Sequence, residues 1–479
     1  MSNNWIVYHR GVFPPYRLMM MLLSVNLFAS KLNGIKVDTV LFIVEKNKIW
    51  GAWKASQINN LGKKIISALK EKHKSQLHFS KLLFYINKGI SFSEKIIKKD
   101  LTKLSNEKIV ELYNETMYPV MAAHGLANPD IDSFDIVFNN FFLQLLKNEF
   151  KNKISWEKLN EISKQLIVPI QLSYDSKFKL GLTKLLSEKI PNSKKVQILY
   201  KKYWWTSLGW EVIVPHKEKY FYDFLDRYKK IKNPQQRIIK IKENFIKSKK
   251  LRSDLIKKYN FSPNINYWLN ILDRYAYFHE LRKRMQGETL YAYSLILREV
   301  SKRFNIKFKD LEYLSFLEVK SLLRGKKINF EIIRQRQKAC FLMSVDQKVI
   351  ITSNFDVINK WKKILDIEKK EVQKFAGLPV TKGTVKGLVK VCNGPVEANK
   401  KIEKGDILVC GMTTPEYIGS IKKAAAIITD EGGVTCHAAI ISREMHKICI
   451  VGTHIATHVL KDGDIVEVNA NSGVVTIIK

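Results

Sequence analysis

The feature that most constrains this chain is a change of pattern near Gly377. Before it, segments such as LGKKIISALKEKHK, NEKIVELYNETM and WEKLNEISKQLIVPI repeat apolar residues at three- and four-residue steps, which predicts helices that each bury one stripe. From Lys219 to Leu323 the helical pattern is almost continuous, broken at Pro234 and at Ser262–Pro263. After it, short valine and isoleucine runs alternate with Gly-Asp turns. From Glu371 onward the chain holds 12 of its 22 glycines and none of its nine tryptophans, so a second kind of architecture begins there.

The expected organisation is an α+β multidomain chain. Residues 1–60 form a small α+β segment, with a strand at Trp5–Tyr8 and a hairpin made of VDTVLFIV, the turn EKNK and IWGAWK. Residues 61–356 are mainly helical and close with a second hairpin, CFLMSV, DQ and KVIIT. A charged helical linker over 357–376 leads to Gly377 and Pro379. Residues 377–479 then read as strand GTVKGLVKVC, helix PVEANKKI, strand DILVC, helix TPEYIGSIKKA, strand AAIITD, a Gly-Gly loop, helix CHAAIISREM, strand ICIVG and a closing hairpin DGDIVEVNANSGVVTII.

The formal charge of +37 raises a nucleic-acid reading, since basic side chains that neutralise phosphates supply most non-specific affinity. The part of the chain before Glu371 holds +35 of it (69 lysines and arginines against 34 aspartates and glutamates), mostly as lysine scattered over helical segments, which reads as a solvated surface. The best aromatic-basic patch is KKYWWTSLGW, Lys201–Trp210, and its tryptophans are expected in the core. Five cysteines without paired short spacings, and no leader with a basic start and a small-residue cleavage site, lead to a cytoplasmic expectation. Leu18–Ala29 is about half the length of a membrane helix and contains Ser24 and Asn26, so it reads as a buried helix. Four cysteines and four histidines lie between Cys392 and His458, with His454 and His458 four apart, but without a Cys-x-x-Cys no metal site is expected.

The stretch that carries chemistry is AAAIITDEGGVTCHAAIISREMHKICIVG, Ala424 to Gly452. A buried strand ends at Thr429, Gly432 and Gly433 allow a tight turn, and Thr435 occupies the expected N-cap, which puts His437 in the first helical turn. Unpaired backbone N–H groups and the positive end of the helix dipole favour an anion there. A neutral imidazole is a competent nucleophile near neutral pH, and its phosphoramidate can pass the phosphoryl group on. Arg443 and Glu444 lie a turn and a half further along, as docking or salt-bridge residues. Cys436 as an activated thiol at the helix start is the competing chemistry.

From Thr429 through Glu444 the chain resembles the phosphohistidine signature of the phosphoenolpyruvate-utilising enzymes, the family of phosphoenolpyruvate synthase, pyruvate phosphate dikinase and rifampicin phosphotransferase: Thr-x-x-Gly-Gly-x-Thr-Cys/Ser-His-Ala-Ala-Ile-x-x-Arg-Glu. MTTPEYIGSIKKAAAIITD upstream and ICIVGTHIATHVLKDGDIVEVNANSGVV downstream are similar to its flanking segments. The resemblance implies a β/β/α swivelling domain over 377–479, with His437 as the phosphorylated residue and Thr435 and Cys436 orienting it or lining its loop. One departure is Met445-His446-Lys447-Ile448-Cys449, where the family often has Leu-Gly-Ile-Pro, so that turn is expected to differ. The chain before Glu371 bears a looser resemblance to the helical region of rifampicin phosphotransferases, through DLTKLSNEKIVELYNE, LRKRMQGETLYAYSLILREVSKRF and DLEYLSFLEVKSLL.

Such enzymes also need an ATP-grasp nucleotide site and, in the synthases, a barrel for pyruvate. No barrel is expected after the swivelling domain, the 10 glycines that precede Glu371 include no Gly-x-Gly, and no magnesium-ligand cluster is recognisable. The expectation is a phosphotransfer component, charged from ATP or phosphoenolpyruvate through a separate ATP-grasp-type partner. The competing class is a degenerate swivelling domain on a basic helical platform that binds RNA or a protein.

Overall fold

The computed structural model describes residues 5–10, 15–45, 48–151, 153–168, 170–185, 193–208, 214–229, 234–346, 348–365, 367, 372–433, 436–453 and 455–478. Strands β1 (Trp5–Arg10), β2 (Val40–Glu45), β3 (Lys48–Lys54), β4 (Ala339–Val345) and β5 (Lys348–Thr352) form one antiparallel sheet in the order β1-β3-β2-β4-β5. The two hairpins expected at opposite ends of the helical region are therefore hydrogen-bonded to each other, with Val40 opposite Ser344 and Glu45 opposite Ala339. Residues 1–60 do not stand as a segment of their own. The cause is legible in β2: Val40, Leu41, Phe42, Ile43 and Val44 are all buried, so both faces and both edges of this strand need cover.

The chain between β3 and β4 builds the helical body around three long helices, Lys72–Ile97, Asn106–Phe150 and Pro263–Phe304. Ser105, Ser155 and Ser262 cap helix starts by accepting from the backbone N–H three residues on. The 106–150 helix continues through Pro119 and Pro129, each of which removes an intrahelical donor; its stripe of Phe134, Phe138 and Phe142, buried against the 263–304 helix, offsets that loss. Phe134 stacks on Tyr275 with ring centres 3.6 Å apart. Arg252 grips Asp273 through two hydrogen bonds of 2.8 and 3.0 Å in this core.

The expected buried helix over Leu18–Ala29 is present as Pro15–Ser24, running into a wider turn at Val25–Ala29. No described helix is long and apolar enough to cross a membrane. In the Lys201–Trp210 patch, Trp205 is buried edge-on against Tyr174 and Trp204 packs on Tyr291; Gly209 and Trp210 lie outside the described residues.

The remaining strands, β6 (Lys374–Ala376), β7 (Leu378–Thr381), β8 (Thr384–Val391), β9 (Ile407–Cys410), β10 (Ala426–Thr429), β11 (Ile448–Val451), β12 (Ile465–Asn469) and β13 (Val474–Ile477), form a second sheet in the order β6-β13-β12-β8-β9-β10-β11-β7. Its centre, β8-β9-β10-β11, is parallel, and the flanking pairs are antiparallel. The helix before it ends at Ile364, and Lys374–Ala376, expected in a helical linker, is an edge strand whose Phe375 enters the core. Gly377 separates β6 from β7 because a Cβ there would sit 2.6 Å from Ile450 and 2.8 Å from the Val451 carbonyl. Among the described residues this domain meets the body where His458 stacks on Trp50 at 6.2 Å and where Leu378 lies against the main helical core.

Candidate functional site: His437 at a helix start

Strand β10 is wholly buried between β9 and β11, and its four residues Ala-Ile-Ile-Thr suit a strand covered on both faces. It delivers the chain to Asp430, a fully buried carboxylate that accepts from Thr453 Oγ1 (3.0 Å), the Thr457 backbone N–H and the Thr457 hydroxyl. Burial raises the Asp430 pKa, and these donors oppose the rise. The loop is thus anchored before it turns. Thr429 belongs to this anchor: its hydroxyl donates to the Glu431 carbonyl at 2.7 Å.

Gly432 has φ +113°, and a Cβ on it would lie 2.6 Å from Cys436 Sγ. The Gly433 carbonyl accepts from the Cys436 N–H at 3.1 Å, closing the turn. The helix then runs His437–Met445, and its cap is Cys436, whose sulfur accepts from the Ala439 N–H at 3.5 Å. The cap expected at Thr435 is therefore displaced by one residue; Thr435 itself lies outside the described residues. Ala438, Ala439, Ile441 and Ser442 are buried, and Ser442 meets Thr381 of β7 at 3.0 Å, so the helix seats firmly on the sheet. At its other end His446 takes a left-handed conformation (φ 51°) and the Lys447 N–H returns to the Ser442 carbonyl. That is how the unusual Met445–Cys449 turn closes.

His437 occupies the first helical position. Its Nδ1 is 2.9 Å from Thr413 Oγ1, and its Nε2 is buried with no hydrogen-bond partner among the described residues. With the proton on Nδ1 donated to Thr413, the lone pair of Nε2 is held clear of any acid. Burial, then the positive charges of Lys179 and Lys283, lower the His437 pKa to about 3, so the ring is neutral at physiological pH. Both lysines belong to the helical body, which places the ring opposite that body; Cys436 also feels Lys283.

Cys436 does not have the character of an activated thiol: burial raises its pKa, against weaker opposing effects from the Ala439 N–H and Arg443. Arg443, partly buried, carries its charge near Cys436 and Cys449, and Glu444 follows it in the last turn, partly buried. The structure thus brings together His437, Cys436 and the Gly432–Gly433 turn. Thr413 was missed in the sequence reading; its signal was the Thr-Thr-Pro of the upstream segment. Among the described residues no group of three or more His, Cys, Asp or Glu side chains could hold a metal ion, and His454 lies outside them.

Residues 402–473 match the family described as PEP-utilising enzyme, mobile domain. Over these residues the chain is similar to the mobile domain of PEP-utilising enzymes. The mobile domain is shared with curated relatives. A probable phosphoenolpyruvate synthase of Archaeoglobus fulgidus is 52% identical over 99 residues, 21% of this chain and 13% of that protein. One of Methanothermobacter thermautotrophicus is 35% identical over 179 residues, 37% of this chain and 26% of that protein. A rifampicin phosphotransferase of Bacillus cereus is 30% identical over 174 residues, 36% of this chain and 19% of that protein. The matches thus span about a quarter or less of each relative.

Proposed function

We propose that the protein is a phosphotransfer component whose mobile domain carries a phosphoryl group on His437 Nε2 and swivels between a donor and an acceptor. The observation that carries this reading is the ring itself: Nδ1 tied to Thr413, Nε2 buried and unpartnered, at the start of a helix whose first N–H groups favour an anion. In the loading step the Nε2 lone pair attacks the phosphorus of the donor, the P–N bond forms, and the donor's bridging P–O bond breaks with its electrons leaving on oxygen. The resulting ring keeps its Nδ1 proton on Thr413. In the unloading step an acceptor oxygen attacks, and the P–N electrons return to Nε2.

The donor in this reading is ATP or phosphoenolpyruvate, presented by an ATP-grasp-type partner protein in the cytosol. Lys179 and Lys283, which oppose a proton on His437, would favour a phosphoryl group there. The test is acid-labile phosphate on the purified protein after incubation with cell lysate and either donor. Wild type should acquire it and His437→Ala should not; labelling that survives the substitution would overturn the assignment.

A further inference from the structure

The helical body holds a second titratable cluster that the phosphohistidine chemistry does not use. His279 Nε2 lies 2.5 Å from Asp135 Oδ2, and its Nδ1 lies 3.4 Å from an Arg282 nitrogen. Arg282 is itself paired with Asp132 at 2.6 Å. This is a carboxylate–imidazole pair bridging the 106–150 and 263–304 helices, with the ring side chain 28% exposed, so a small molecule can reach it.

Helix geometry shows where the cluster looks. On the 263–304 helix, Tyr275, Arg282, Gln286 and Thr289 meet Asp130, Asp132, Asn128 and His124 of the 106–150 helix. On another side, Glu280 accepts from the Tyr174 N–H and Gly287 packs under Leu208. At about 100° per residue, His279 and Lys283 fall between these two faces and stand one turn apart. Both therefore lie on the side of this helix between the 106–150 helix and the 174–208 segment, where the Lys283 ammonium pairs with Glu280 at 2.9 Å. Lys283 is also one of the two cations whose charge reaches His437. The dyad thus stands one helical turn from a cation that acts on the carrier histidine.

We infer that His279, oriented by Asp135, is the general base for a hydroxyl-bearing acceptor bound beside it on this side of the helix. The inference rests on the phosphohistidine reading above. The bond to Asp135 fixes the proton on Nε2 and leaves Nδ1 basic. The 3.4 Å approach of Arg282 is too long for a strong bond, and Asp132 holds that guanidinium, so a substrate hydroxyl can take its place at Nδ1. The hydroxyl oxygen attacks phosphorus, a P–O bond forms, and the P–Nε2 bond breaks with its electrons returning to His437. The hydroxyl proton passes to His279 Nδ1 and then to solvent, and the product is a phosphate monoester, or inorganic phosphate when the hydroxyl is that of water.

The experiment follows phosphate leaving full-length protein already loaded on His437 and freed of donor, with water and with glycerol as acceptors. His279→Ala and the bulkier His279→Gln should load normally and lose phosphate about 10²-fold more slowly than wild type. Added imidazole should restore His279→Ala in part and leave His279→Gln unchanged. Normal loading with unchanged departure rates in both His279 variants would overturn the base assignment alone. Absence of acid-labile phosphate from His437 in wild type would instead overturn the reading on which it rests, and this inference with it.

Discussion

Acidification tests the burial of the His437 ring. An imidazole in the unfolded chain titrates near 6.5, whereas burial and the two body lysines hold the folded ring to about 3. Between those values the unfolded state binds a proton that the folded state refuses. The stabilising difference is therefore complete above pH 6.5 and shrinks as the pH falls, by about 1.4 kcal/mol per unit. At pH 5 the loss is about 2 kcal/mol. Urea unfolding of wild type and His437→Gln at about pH 7.5 and pH 5 isolates it, because the equally depressed His124, also at about 3, is common to both proteins and cancels. The stability lost on acidification should be about 2 kcal/mol smaller in the variant. Imidazole nitrogen shifts of the folded wild type should show the His437 ring neutral at pH 5. An identical pH dependence in the two proteins, or a ring that titrates near 6.5, would refute the argument.

Thr413→Val keeps the shape of the side chain but strands Nδ1; a loss of about 1–3 kcal/mol, read as roughly 10- to 100-fold slower loading of His437 with helix content unchanged, is expected. Gly432→Ala forces a side chain into φ +113° and onto Cys436 Sγ, so its urea midpoint should fall by the equivalent of about 1–3 kcal/mol and loading should fall with it. Arg252→Ala leaves Asp273 buried without its partner and should cost about 3–5 kcal/mol in denaturant unfolding of the helical body, with loading of the folded protein unaffected.

The change of architecture near Gly377 and most of the strands and helices after it were legible because valine runs, Gly-Asp turns and the signature around His437 are local signals; β7 and the short helix Ala456–Val459 were not read. What escaped was non-local. Nothing in VLFIV names its neighbour, so the pairing of β2 with β4, on the far side of the whole helical region in sequence, depends on the long helices bringing the two hairpins together. β6 is three residues long and owes its existence to Phe375 entering the core and to pairing with β13, which no periodicity over so short a span can show. At the site, the histidine and its glycine turn were readable. The cap shifted from Thr435 to Cys436 because cap position depends on where the Gly432–Gly433 turn ends, a matter of one residue. Thr413 and Lys283 come to His437 through tertiary structure, and Asp135 comes to His279 across two helices that lie far apart in sequence.

The most direct measurement is mapping the phosphate after loading, by fragmenting the protein under neutral to alkaline conditions and sequencing the labelled peptide by electron-transfer mass spectrometry. The account predicts a single phosphoryl group on His437 in the peptide spanning Ala424 to Arg443. Phosphate on Cys436, on another histidine, or on no residue under either donor would contradict it.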